Sequence, residues 1–117
     1  MYSISKKFNF SASHTLEELP KAHPCSNLHG HNYIITIELR GEDLNEVGFI
    51  KDYRELQPIK EFIDKHYDHR HLNDFLPFNP TSENIAKHLY EVFKDSFPQL
   101  YSVTVQETDK TAATYYE

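Results

Sequence analysis

Apolar and polar residues alternate over 2–13. Tyr2, Ile4, Phe8, Phe10 and Ala12 share one parity, while Ser3, Ser5, Lys7, Asn9 and Ser11 take the other. Successive side chains of a strand point to opposite faces, so a period of two predicts a half-buried strand, with Lys6 the exception on its apolar side. A loop with Pro20 and Pro24 follows. Alternation resumes over 31–40, with Tyr33, Ile35, Ile37 and Leu39 on one side, and stops at Gly41, with Gly48 marking a turn beyond it. The period then changes. Leu56, Ile59, Phe62 and Ile63 recur at helical spacing behind Asp52-Tyr-Arg-Glu55, which reads as a capping box. Ile85, Leu89, Val92, Phe93 and Phe97 form a second helical stripe, capped by Thr81 or Ser82 and stopped by Pro98. Two further strands are predicted, at 101–107 with Tyr101, Val103 and Val105 alternating, and at 112–116.

The order ββααββ, with no helix inside either strand pair, predicts an α+β fold: a four-stranded antiparallel sheet with two helices on one face. Residues 1–117 read as a single domain, long enough to bury a core and free of repeats. Such a sheet has two open edges. Ile34 also lends some apolar character to the uncovered face, which fits closure of the edges by other subunits.

Composition then excludes several classes. A formal net charge of −6 argues against a nucleic-acid partner or an anionic membrane surface. One cysteine cannot form an internal disulfide, which favours a reducing compartment. The segment MYSISKKFNF lacks the apolar run of a signal peptide, and no stretch approaches the roughly 20 apolar residues of a membrane span. The expectation is a cytoplasmic protein without membrane contact.

The chain has eight histidines, two pairs of them spaced HxH: His29-Gly-His31 and His69-Arg-His71. Spacing alone settles nothing at this density, but parity says more. His29 and His31 share the parity of Tyr33, Ile35 and Ile37, and His14 extends that of Phe8, Phe10 and Ala12. Three imidazoles thus emerge on the buried side at strand ends. They are either core histidines with hydrogen-bond partners or three ligands of a metal with an open fourth position, the arrangement of catalytic zinc. Cys25, four residues before His29, has three readings: a fourth ligand, a free thiol acting as base, or an ordinary buried cysteine. Glu107 shares the parity of Val103 and Val105, so it is either a buried carboxylate in need of paired N–H donors or a solvated residue past the strand end. Asp68 precedes His69 and can orient its imidazole, unless the pair is merely a polar helix end.

FNFSASH (8–14), CSNLHGHNY (25–33), GFIKDYREL (48–56), YDHRHLND (67–74), NPTSENIA (79–86) and QET (106–108) together resemble the 6-pyruvoyltetrahydropterin synthase family. These motifs span nearly the whole chain in the family's order. The short Cys-x₃-His-Gly-His spacing is similar to that of the carboxy-forming branch, which makes 6-carboxy-5,6,7,8-tetrahydropterin for queuosine biosynthesis. The resemblance implies His14, His29 and His31 as ligands of Zn²⁺, Cys25 as general base, and Asp68 with His69 as a proton relay. It further implies that Glu107 anchors a pterin substrate, with Thr81 and Ser82 lining its pocket. The implied fold is the tunnelling fold, in which trimers form a twelve-stranded barrel and pair as a hexamer with active sites between subunits. The implied substrate is 7,8-dihydroneopterin triphosphate. Lys21, Arg70 and Lys110 are loop cations that could meet its phosphates, and the pattern does not choose among them. The pyruvoyl-forming synthase is the alternative enzyme, and a zinc-stapled module without catalysis is the alternative class.

Overall fold

A computed structural model describes all 117 residues. Long alternating segments give long strands: β1 is Tyr2–His14 and β2 is His29–Gly41, and the two pair antiparallel from Tyr2↔Gly41 to His14↔His29. Helix α1 (Gln57–His66) follows, then the two-residue strand β3 (Arg70–His71), helix α2 (Ser82–Lys94), β4 (Leu100–Gln106) and β5 (Ala113–Tyr116). The sheet order is β3-β1-β2-β4-β5.

This corrects the expected four-stranded antiparallel sheet. The three pairings among the four expected strands are antiparallel, but Arg70–His71 adds a fifth strand, parallel to β1 at Ala12↔Arg70 and Ser13↔His71. Two residues are too few to show a period, so no sequence pattern announces this strand. It forms because the chain leaving α1 turns back along the open edge of β1, where the His69 N–H donates to the Ser11 carbonyl at 2.6 Å.

Alternation puts Phe8, Phe10, Ala12, Tyr33, Ile35, Ile37, Leu39, Val103 and Val105 on one sheet face, where they are buried under the helices. Phe10 lies opposite Tyr33 in the register, and their rings stack with centroids 4.7 Å apart. The helices contribute Ile59 and Ile63 from α1 and Ile85, Ala86, Leu89, Tyr90 and Phe93 from α2 to the same core. Lys6 keeps core parity without an energetic conflict: its stem follows the sheet and its Nζ reaches the Tyr53 carbonyl at 3.4 Å. Two stripe members depart from expectation, since Tyr2 near the chain start and Val92 on α2 are exposed.

Asp52 does accept from the Arg54 N–H at 2.9 Å, but it caps a 3-10 turn over Tyr53–Leu56, and Pro58 follows within the first turn of α1. Glu55 pairs with Lys51, so the capping box is half formed. Thr81 caps α2 through its hydroxyl, which accepts from the Asn84 N–H at 3.1 Å. Thr81→Ala is therefore expected to lower stability by about 1 kcal/mol, measured as a shift in the urea midpoint at unchanged slope.

Candidate metal centre and active site

The cross-strand register creates the site. His14 lies directly opposite His29, and Ala12 lies opposite His31, so the three core-parity histidines meet at the end of the β1–β2 ladder. Residues paired across a ladder, or diagonal to such a pair, bring their side chains within reach of one another. The ring centroids are 4.4, 5.2 and 4.8 Å apart for the three pairs, and the ligating nitrogens all lie within 4.8 Å of one another.

Two of the three rings, His14 and His29, are aimed by main-chain carbonyls, and His14 also meets a phenol. His14 is fully buried, and its Nδ1 lies 2.8 Å from the Pro80 carbonyl oxygen and 3.1 Å from the Tyr33 hydroxyl. His29 Nδ1 lies 2.7 Å from the Asn27 carbonyl oxygen. A carbonyl accepts only, so each Nδ1 carries its proton and each Nε2 is left with a lone pair. Those two Nε2 atoms face each other at 2.9 Å, and His31 Nε2 is buried without a hydrogen-bond partner. Two lone pairs pointed together and a third orphaned nitrogen fit a shared electrophile, so the residues present suit a metal ion. The buried environment also favours neutral imidazoles: burial pushes both His14 and His31 below the ordinary histidine range, opposed for His31 by the charge of Glu107.

Glu107 lies just past the end of β4, a quarter exposed, so it is neither on the strand nor fully solvated. Its Oε2 is 3.5 Å from His31 Nε2. That distance is too long for a good hydrogen bond, and the neutral form favoured for His31 makes the contact no ion pair. No lysine or arginine pairs with this carboxylate, so its acceptor oxygens stay available at the mouth of the histidine cluster.

Cys25 is half-buried in a 3-10 turn over Pro24–Ser26 and is not part of the clustered ligand set. Its carbonyl accepts from the Leu16 N–H at 3.0 Å, which ties the turn to the chain two residues beyond His14. Thr81 follows Pro80, the residue that orients His14, although its hydroxyl is already used as the α2 cap; Ser82 opens the helix.

Asp68 and His69 do not join this group. Asp68 Oδ1 accepts from the Ser11 N–H at 2.9 Å, and Oδ2 lies 3.0 Å from His69 Nδ1. The Ser11 N–H bond, with His69 adding to it, holds the Asp68 carboxyl below the usual carboxylate range. The His69 ring is 83% exposed and lies beside Ser11 and Asn32, on the sheet face away from the helices. His69 has φ 58°, a left-handed conformation that costs a non-glycine residue free energy and is found at sites where geometry is imposed. The Asp68–His69 pair is thus oriented, but toward the opposite face from the histidine cluster.

Sequence reasoning missed the groups that aim the rings. Pro80 and Asn27 act through carbonyls, which leave no side-chain signal, and Tyr33 reads as an ordinary core residue.

An antiparallel ladder gathers three imidazoles under two helices, with a free carboxylate at their edge, in an α+β protein whose histidine cluster could hold a metal ion. The family model described as 6-pyruvoyl tetrahydropterin synthase matches residues 3–117, and the chain belongs to that family. It is 30% identical over 127 residues to the 6-carboxy-5,6,7,8-tetrahydropterin synthase of Bacillus subtilis, covering 97% of this chain and 84% of that protein. It is 37% identical over 124 residues to a putative 6-pyruvoyl tetrahydrobiopterin synthase of Caenorhabditis elegans, covering 92% and 89%. The solved structure of Caenorhabditis elegans 6-pyruvoyl tetrahydropterin synthase superposes with a TM-score of 0.86 at 32% identity, covering 99% of this chain and 95% of that one. Relatives from both the carboxy-forming and pyruvoyl-forming branches therefore match at similar identity. No helix is long and apolar enough to cross a membrane.

Proposed function

We propose that the protein is a zinc-dependent lyase, a 6-carboxy-5,6,7,8-tetrahydropterin synthase acting in the cytoplasm in queuosine biosynthesis. It would convert 7,8-dihydroneopterin triphosphate, with uptake of one water, to 6-carboxytetrahydropterin, acetaldehyde and triphosphate. The observation that carries this reading is the cluster of three Nε2 atoms, two freed by the Nδ1 hydrogen bonds of His14 and His29 and the third, of His31, left without a hydrogen-bond partner, with Glu107 at 3.5 Å. Three nitrogen donors and an open position suit zinc. The Cys-x₃-His-Gly-His spacing and the Bacillus subtilis relative favour the carboxy-forming branch.

When bound, the metal would supply Lewis acidity at the substrate's side-chain oxygens. Glu107 would accept two N–H groups of the pterin edge and fix the ring beside the histidines. Cys25, as thiolate, would remove a carbon-bound proton of the side chain. His69, held by Asp68, would return a proton on the opposite side of the ring. Loss of triphosphate and carbon–carbon cleavage then need no external oxidant, because the side chain is oxidised as the ring is reduced.

The placement of His69 on the far face supports a homo-oligomer. If His69 and the histidine cluster act on one substrate, the two must come from different copies of the chain. The short edges β3 and β5 leave backbone groups free for such pairing. We read this as the family's hexamer, a dimer of trimers with sites between subunits.

A second reading, the pyruvoyl-forming synthase, is favoured by the 37% identity to the Caenorhabditis elegans relative. Incubating the zinc-loaded protein with dihydroneopterin triphosphate separates the two by mass spectrometry. A carboxypterin with equimolar acetaldehyde is expected. A pyruvoyl product without acetaldehyde would move the chain to the other branch, and no consumption of the triphosphate would end the enzyme reading.

A further inference from the structure

Just past His14 the main chain is gripped by two side-chain amides. Asn73 Oδ1 accepts from the Thr15 N–H, and Asn73 Nδ2 donates to the Thr15 carbonyl, both at 2.8 Å. Two residues on, Asn79 Oδ1 accepts from the Glu17 N–H at 2.9 Å, and its Nδ2 donates to the Glu17 carbonyl at 3.2 Å. Each amide thus exchanges with one residue the pair of bonds that a neighbouring strand would supply. Yet residues 15–17 belong to no strand, since β1 ends at His14. Leu16, between the two grips, donates its N–H to the Cys25 carbonyl at 3.0 Å. The run stops at Glu18, where the backbone turns left-handed with φ 65°.

The Cys25 turn has little else to hold it. Within residues 18–28 every hydrogen bond is local except two: the Leu16–Cys25 bond, and the bond from the Asn27 carbonyl to His29 Nδ1. The place of Cys25 is therefore set largely by where Leu16 aims its N–H. One amide grip would leave residues 15–17 free to pivot, whereas two grips flanking Leu16 fix that direction. The amides themselves stand on firm ground. Asn73 lies in the 3-10 turn Leu72–Asp74, directly after β3. Asn79 precedes Pro80, whose carbonyl aims His14, and its own carbonyl accepts from the Thr81 N–H at 2.8 Å and the Asn84 amide at 2.9 Å.

We propose that Asn73 and Asn79 are positioning residues that set the Cys25 thiol beside the histidine cluster, acting through the main chain of residues 15–17. Neither side chain bonds to Cys25, so the effect passes through Leu16. Only an amide offers one acceptor and one donor in this shape. An aspartate has the same size but sets a carboxylate oxygen against a carbonyl oxygen. The inference rests on the proposed role of Cys25 as base.

The test reads the main chain and the thiol before turnover, on the zinc-loaded protein in its native assembly. In Asn73→Ala and in Asn79→Ala, hydrogen exchange of the Leu16 amide is expected to quicken about 10- to 100-fold, the range for two lost hydrogen bonds. Alkylation of Cys25 by iodoacetamide should quicken about 10-fold as its turn loosens. Asn73→Asp should behave like Asn73→Ala despite its conserved size. A core variant that weakens the fold elsewhere, Ile59→Val, should leave both rates at wild-type values. In turnover, kcat should fall about 10- to 100-fold in the asparagine variants, with KM within twofold and zinc content unchanged. Leu16 exchange within twofold of wild type in both alanine variants overturns the proposal. So do wild-type rates in Asn73→Asp, equal acceleration in Ile59→Val, or an unchanged kcat in variants whose Leu16 amide has come free. If wild type consumes no dihydroneopterin triphosphate, the proposed reaction fails on its own, and faster exchange and alkylation in the variants still establish that the two amides hold the thiol.

Discussion

Cys25→Ala is expected to lower turnover of the pterin triphosphate by about 10³-fold while zinc content stays at one per chain. The geometry separates the two properties. Three nitrogens form the clustered ligand set without Cys25, so removing the thiol takes away no donor that the histidines need. Yet the turn that carries Cys25 is fastened to the chain just past His14 by the Leu16–Cys25 main-chain bond, and His23 Nδ1 accepts the Cys25 N–H at 3.1 Å. Both bonds use the backbone, so they survive truncation and the loop should keep its shape. Cobalt substitution supplies the spectroscopic control. With Cys25 off the metal, the cobalt protein lacks an intense thiolate charge-transfer band, and its spectrum is unchanged in Cys25→Ala. A strong band that disappears in the variant would make the cysteine a fourth ligand and return the chain to the zinc-stapled class. Wild-type turnover in the variant would remove the thiol from the mechanism altogether.

Which parts of this site can be read in sequence follows from the range of the interactions that build it. His14, His29 and His31 are legible because strand parity is a local property: once Phe8, Phe10 and Tyr33 are placed inside, the histidines of the same parity must follow. Their meeting depends only on the β1–β2 register, which the long alternating runs impose, since a one-residue slip would expose the whole apolar set. Asp68 and His69 illustrate the opposite case. Adjacency suggests that Asp68 orients His69, and the contact exists, but their displacement to the far face comes from the chain wrapping the open edge of β1. That path is set by hydrogen bonds to Ser11, 57 or more residues away in sequence, and no periodicity encodes it. Glu107 falls between the two cases: parity pointed it toward the core, and the end of β4 at Gln106 then turned it to the rim of the site.

His14→Ala and His29→Ala are expected to share one effect and to differ sharply in another. Each removes one of three donors, and affinity for zinc should fall by more than about 100-fold, beyond what loss of a merely supporting residue does. Metal analysis after dialysis against a weak chelator reads this directly. The stability of the metal-free proteins should diverge. His14 is fully buried and bonds through Nδ1 to Pro80, so it also joins the end of β1 to the residue that precedes the α2 cap. Its truncation leaves a cavity and an unsatisfied buried carbonyl, together costing about 2–4 kcal/mol. His29 is half-buried, its Nδ1 bonds to Asn27 only two residues away, and its contact across the ladder sets two nitrogen lone pairs against each other at 2.9 Å, so its truncation should cost less than about 1 kcal/mol. Urea unfolding in the presence of chelator measures both. Equal destabilisation by the two variants would contradict the structural role given to His14. Full zinc retention by either would place the metal elsewhere, because with two nitrogens left neither Glu107 nor Cys25 belongs to the clustered set that could replace the third.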